Sequence, residues 1–274
     1  MVKKLLVLTL SALFFISCAS DKGNKEKSAS DDLSVPDSVK QEKQQEIPQG
    51  ALDNIVNSFS SPIEMAAYVK ESGAKFSKDY LSPIESADKL NTEYEKAIGL
   101  GVLSSDLGYL NVYEQTSSII NLIGEIKRLA DDLRIGQFFD FETLKDLAMS
   151  NTHLDSLMMV STNSFNRMDQ YLRDQNRSKI STLMISGVWI EGMYFATQIV
   201  EESGHGDIRE FIGNQKIILK DLMKILKVYK NDPNVAELLG QLKKLQKAYD
   251  NVEVTYTEGE PETKVENGRL VVVQ

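Results

Sequence analysis

Apolar residues recur at helical spacing from about residue 61 to residue 249, and this periodicity limits more than any other feature what the chain can fold into. The spacing is strongest in one unbroken stripe that ends before Gly136, made of Ile119, Ile120, Leu122, Ile123, Ile126, Leu129 and Leu133. Helix starts are marked by Ser61-Pro62, Ser82-Pro83, Asp232-Pro233 and the capping-box spacing of Thr92 and Glu95. We therefore predict an all-α fold, an irregular array of about eight helices.

The spacing of apolar residues changes from a helical period to a period of two after Asp250. Residues 252–256 and 270–273 are rich in β-branched side chains and flank a loop rich in Gly, Glu and Pro. An isolated hairpin is only marginally stable in water, so these strands need the helices or a partner to support them. We expect a helical domain over residues 51–250 and a short C-terminal β-hairpin or tail over residues 251–274.

One helix of the array should carry a face of small residues. Tyr94, Ile98, Gly101 and Ser105 fall on one side of the helix that follows Thr92. Because small side chains allow two backbones to approach closely, we expect a neighbouring helix to pack against this face.

The first 18 residues have the pattern of an export signal. Lys3 and Lys4 precede an apolar run over residues 5–16 that is too short to span a bilayer, and small Ser17 comes just before Cys18. The sequence Phe15-Ile16-Ser17-Cys18 resembles the lipobox of bacterial lipoproteins, although Phe15 stands where that family usually has Leu. The resemblance implies that residues 1–17 are a signal peptide and that Cys18 is lipidated. The lipid would anchor the protein in the cell envelope, and we expect the anchor to lie in the outer membrane. The alternatives are an ordinary signal peptide and a buried free thiol.

Residues 18–50 are expected to form a disordered tether between the lipid and the folded body. The segment has many charged and polar residues and no aromatic residue, so it cannot bury enough apolar surface to offset its ordering entropy. The whole chain has a formal charge of −9, which becomes −11 when Lys3 and Lys4 leave with the signal peptide. This charge argues against nucleic acid as a partner and against a polybasic grip on anionic lipid.

Residues 183–200 form the one later stretch that approaches a transmembrane segment in its composition. Glu191 and Gln198 lie within it. Because a charge at the middle of a bilayer is costly, we interpret this stretch as a buried core helix.

The sequence carries no established catalytic or metal-binding motif. The chain has two histidines and one cysteine, which are too few for a zinc site of the usual ligands. The Glu-x-x-His spacing of Glu202 and His205 occurs once and beside two glycines, whereas a di-iron bundle needs it twice on unbroken helices. We therefore interpret His153 and His205 as ordinary surface or core-edge residues and expect neither metal nor cofactor.

Two carboxylates differ from the other acidic residues because their sequence neighbours are apolar. They are Asp106 and Glu191. A charge in such a setting must be paired or must shift its pKa. We favour a structural ion pair or hydrogen bond between helices. The functional alternative is a ligand contact in a cleft, with Tyr109, Trp189 and Tyr194 beside the two carboxylates.

These two stretches also resemble uncharacterised helical lipoproteins of Gram-negative bacteria. The resemblance covers roughly residues 94–200 and rests on Leu100-Gly101-Val102, Asp106-Leu107-Gly108-Tyr109 and Trp189-Ile190-Glu191-Gly192. It implies no particular activity. We expect a lipid-anchored, non-enzymatic binding module that contacts the membrane through its anchor and binds an envelope protein or a small ligand. The alternative is a hydrolase that works through Asp106 or Glu191 in a helical cleft.

Overall fold

The computed structural model describes residues 66, 69–71, 73–150, 154–204, 206–255, 262–266 and 269–273. The predicted signal peptide, Cys18 and the tether lie outside the described residues, as do both histidines. Most of the helix predicted from Pro62 also lies outside them, although Ala66 and residues 69–71 are helical.

Seven α-helices follow one another in the described part of the chain. They are α1 Glu93–Val112, α2 Thr116–Asp132, α3 Phe141–Met149, α4 Leu154–Asp174, α5 Ser178–Ser203, α6 Gly206–Leu226 and α7 Pro233–Ala248. Short 3-10 helices span Lys78–Tyr80, Ile84–Lys89, Gly136–Phe138 and Lys227–Tyr229. The all-α prediction is confirmed. The segment after Pro83, predicted as a helix, is a 3-10 helix of two turns rather than an α-helix.

The helix ends follow the signals in the sequence. Thr92 and Glu95 form the predicted capping box, in which the Thr92 hydroxyl accepts from the Glu95 amide at 3.1 Å and the Glu95 carboxylate accepts from the Thr92 amide at 2.9 Å. Asp232 caps α7 with proline as the first helical residue. Gly204 ends α5 at a φ of 68°, a left-handed conformation that favours glycine.

Helix α5 is the centre of the array and contacts α1, α4 and α6. It is long and apolar enough to cross a bilayer, but 67% of its apolar window is buried inside the protein. Leu183 and Ile199 are both buried, so the interpretation of residues 183–200 as a core helix is confirmed. The stripe on α2 is also buried except for Ile120, which is 50% exposed because it lies about 100° around the helix from Ile119.

The C-terminal segment differs from its prediction in the position of the first strand. Strand β1 Glu262–Glu266 pairs antiparallel with β2 Arg269–Val273, with Glu262 opposite Val273. Residues 252–255 have no regular secondary structure, so the strand predicted at 252–256 is wrong over those residues, and Tyr256 is outside the described part. Val252 packs on the helical core instead, and its carbonyl accepts from Lys216 at 2.5 Å.

Candidate functional site

Helices α1 and α5 cross with their backbones in direct contact. A Cβ on Gly101 would collide with the carbonyl oxygen of Met184, and a Cβ on Gly187 would collide with that of Ile98. One turn further along α1, the Ser105 hydroxyl donates to the Val188 carbonyl at 3.3 Å. The predicted small-residue face on α1 is therefore confirmed, and its partner is α5.

Asp106 on α1 and Glu191 on α5 meet one turn beyond this crossing. Their side chains form what we call the carboxyl pair, in which the two carboxyl groups lie close enough to influence each other's pKa. Asp106 is 1% exposed and Glu191 is 7% exposed. Two acids that lie 85 positions apart in the sequence thus share one buried site.

Ser82 covers the carboxyl pair from outside the helices. It lies between the 3-10 helices Lys78–Tyr80 and Ile84–Lys89. Its amide donates to Asp106 Oδ2 at 3.3 Å, and its hydroxyl donates to Glu191 Oε1 at 3.4 Å. The sequence identified Ser82 only as a helix start, and its side chain caps no helix here.

Neither acid of the carboxyl pair forms an ion pair within the described ranges. The described residues therefore supply no cation for the ion-pair form of the prediction, whereas both acids accept hydrogen bonds from Ser82. Burial raises the pKa of both carboxyl groups, and the negative charge of Glu191 raises the pKa of Asp106 further. Hydrogen bonds from Ser82 oppose this increase at both acids.

The carboxyl pair can hold a proton between its two acids. Asp106 Oδ1 is buried and has no conventional donor in the part of the chain that is described. A proton shared with Glu191 satisfies this oxygen and removes one of two adjacent buried charges. The arrangement is thus suited to binding a proton or another positive group.

Tyr109 follows Asp106 by one turn and belongs to a packed aromatic cluster. Its ring is fully buried, with ring centroids 4.8 Å from Phe195 and 5.4 Å from Phe76. Its hydroxyl accepts from the Ser77 amide at 2.9 Å. Both the ring and the hydroxyl of Tyr109 are occupied by these contacts, so Tyr109 packs beside the site and is not accessible to a ligand.

The other two aromatic residues predicted for the site lie elsewhere. Trp189 is buried, and its indole N–H donates to Gln215 Oε1 on α6 at 3.0 Å. Because Trp189 and Glu191 are two residues apart on one helix, their side chains leave α5 in different directions. Tyr194 is 41% exposed and stands on the surface. The structure therefore groups Asp106 and Glu191 with Tyr109 nearby, and it does not place Trp189 in a cleft with them.

A groove of about 290 Å³ runs along α1 beside the carboxyl pair. We call it the α1 groove, and its lining includes Ser82, Ser86, Leu90, Ile98, Val102 and Leu103. The segment from Ser82 to Leu90 forms one wall, and the first half of α1 forms the other. No sequence feature indicated this groove, because it depends on how a 3-10 segment packs against a helix.

Acidic, histidine and cysteine side chains of the described residues form no group of three or more that could hold a metal ion. No family model matches the sequence, and no curated protein or solved structure matches it either.

Proposed function

We propose that this chain is a lipid-anchored protein of the bacterial cell envelope, held in the outer membrane through Cys18, and that its helical body is a binding module. The α1 groove is the binding site. The observation that carries this proposal is an open, largely apolar groove that lies beside two converging carboxyl groups. Such a combination supports a small ligand more than a flat protein interface.

The burial of the carboxyl pair favours binding over catalysis. A general acid or base must come within hydrogen-bond reach of the reacting group. Asp106 is 1% exposed, and Ser82 stands between the carboxyl pair and the groove. A ligand in the groove therefore meets Ser82 before either acid.

Hydrolysis is the second candidate function because of one contact. The Ser82 hydroxyl donates to Glu191 at 3.4 Å, which is a long form of the contact between a serine nucleophile and its base. A panel of short-chain nitrophenyl esters tests this reading. Turnover that is lost in Ser82→Ala would establish the hydrolase, while an inactive wild-type protein supports the binding module.

We also propose how the chain is divided between the anchor and the folded body. A disordered tether over residues 18–50 would separate the body from the lipid, and the body would extend over residues 51–250. The pairing of β1 with β2 supports a short C-terminal β-hairpin as an appendage to this body.

The anchor and the groove are tested separately. Cys18→Ser should abolish labelling by a palmitate analogue and retention in the membrane fraction, and equal labelling of variant and wild type would refute the anchor. For the groove, we compare Ser86→Trp, which fills the lining, with Ser117→Trp on the exposed surface of α2. A neutral dye such as Nile red should bind wild type and Ser117→Trp with equal affinity and Ser86→Trp about tenfold more weakly, which corresponds to roughly 1.4 kcal/mol. Equal binding to all three proteins would place the site elsewhere.

A further inference from the structure

We propose that the α1 groove binds a ligand with a positively charged amine on a short apolar chain, and that the ammonium group binds the carboxyl pair after displacing Ser82. This inference rests on the proposed function of the groove and names the class of ligand.

The carboxyl pair has no cationic side chain beside it among the described residues. The groups that interact with the two acids are each other and Ser82, and neither a lysine nor an arginine of the described residues is among them. Another buried acid in the same fold, Asp169, is 5% exposed and forms an ion pair with Arg173 at 2.6 Å. Buried carboxylates are normally paired, so a site with two acids and no cation is suited to a cationic ligand.

The α1 groove leads towards the carboxyl pair. Val102 lines the groove and precedes Asp106 by four residues, so both lie on the same face of α1. Ser82 also lines the groove and donates to both acids. Ser82 therefore connects the groove to the two carboxyl groups.

Ser82 is held less tightly than helices α1 and α5 hold each other. Helices α1 and α5 are in backbone contact at Gly101 and Gly187, so the two carboxyl groups have fixed positions. Ser82 is half-buried, lies in the turn between two 3-10 helices and is held at the acids by bonds of 3.3 and 3.4 Å. Bonds of this length are weak compared with a charge-assisted bond from an ammonium group.

The length of the groove sets the length of the apolar chain. Its lining on α1 extends from Tyr94 to Leu103, nine residues further along, which is about 13 Å along a helix. Octylammonium has a comparable length. Its chain would lie against Leu90 and Ile98, with the ammonium at the inner end of the groove.

Binding of an ammonium group should release the proton that the carboxyl pair shares. The ligand brings one positive charge, so the shared proton leaves to the solvent and both acids become carboxylates. Affinity should therefore rise with pH while the free pair still holds its proton, as long as the amine remains protonated.

The test is calorimetric titration of the folded protein with octylammonium, 1-octanol and octanoate, which share the chain and differ in the head group. We expect octylammonium to bind at least about tenfold more tightly than octanol, a difference of roughly 1.4 kcal/mol, and octanoate to bind most weakly. Titrations at pH 8, between the raised pKa of Glu191 at about 7 and that of Asp106 at about 9, in two buffers of different ionisation enthalpy should show release of about one proton per octylammonium bound.

Two variants locate the ammonium group. Asp106→Asn should reduce the preference for octylammonium over octanol to less than about threefold, which is below roughly 0.7 kcal/mol. Asp155→Asn removes one exposed acid on α4 and should leave the preference unchanged. Glu191→Gln provides a second test of the pair if Asp106→Asn does not fold.

The possible results separate this inference from the proposed function. Equal binding of octylammonium and octanol that is blocked by Ser86→Trp would support the groove as the binding site and refute the preference for an amine. A preference for octylammonium that survives both Asp106→Asn and Glu191→Gln would also overturn it. If none of the three ligands binds, the groove itself is refuted as a binding site, and the inference is refuted with it.

Discussion

Replacement of Asp106 by asparagine should make the protein more stable at neutral pH. Asparagine has nearly the same shape as a protonated aspartic acid, can accept from the Ser82 amide and can donate to Glu191. It carries no proton that must be taken up on folding. The substitution therefore removes the cost of neutralising a buried acid while it keeps the packing of α1 against α5.

The expected gain in stability follows from the pH range in which folded Asp106 is protonated and unfolded Asp106 is not. Burial, followed by the charge of Glu191, raises the pKa of Asp106 above its ordinary value of 3.8. The folded state thus holds a proton that the unfolded chain releases. The contribution of Asp106 to stability is therefore largest below pH 3.8 and falls as the pH rises from 3.8 to the raised pKa of about 9. One proton corresponds to about 1.4 kcal/mol per pH unit. Relative to wild type, the variant should gain roughly 3 kcal/mol between pH 5 and pH 7.

Urea unfolding of both proteins at pH 5, 6 and 7 measures this gain. The matched control is Asp169→Asn, which removes a buried acid that has a cation partner in Arg173. The control should be less stable than wild type at every one of these pH values, because it removes the buried ion pair with Arg173. If the difference between Asp106→Asn and wild type were the same at pH 5 and pH 7, Asp106 would be ionised in the fold and the reasoning would be wrong.

Other substitutions test the packing around the site. Gly187→Ala should destabilise the protein by about 1–3 kcal/mol in urea unfolding, because its Cβ meets the Ile98 carbonyl. Gly124→Ala meets nothing within 4 Å and should stabilise the protein by up to about 1 kcal/mol, so equal effects of the two substitutions would contradict the close crossing of α1 and α5. Trp189→Phe should cost about 2–3 kcal/mol, measured by circular dichroism, since it leaves buried Gln215 without its donor; an unchanged midpoint would show that this hydrogen bond contributes little. Proteins that begin at residue 19 and at residue 51 should melt within a few degrees of each other, and a larger drop on truncation would show that the tether is packed.

Local features of the fold could be predicted because they depend on residues close together in the sequence. The capping box at Thr92, the proline start of α7 and the glycine end of α5 each involve fewer than five consecutive residues. The small-residue face on α1 was predictable for a similar reason, because helical geometry fixes which side chains share a face. Its partner on α5 could not be identified in this way, since Gly101 and Gly187 are far apart in the chain.

The candidate site was predictable only in part. Asp106 and Glu191 stood out because each has apolar neighbours, but the sequence could not tell an ion pair from a shared proton. That distinction depends on whether a cation from another element reaches the two acids. Trp189 was grouped with Glu191 because they are adjacent in the sequence, although helical geometry sends their side chains in different directions. Ser82 was missed as a site residue because its role depends on contacts with residues 24 and 109 positions away.

The buried position of α5 has a consequence for how the protein reaches its destination. In an unfolded chain that passes through a membrane, as we propose for this one, the segment Ser178–Glu202 would present the bilayer with a stretch of suitable length and hydropathy. Lipid and the protein core would then compete for the same residues. Glu191 lies in the middle of the segment, where its ionised form adds about 2.5–3.5 kcal/mol to the free energy of insertion. The acid that forms half of the carboxyl pair in the fold therefore also disfavours arrest of the chain in the membrane during export.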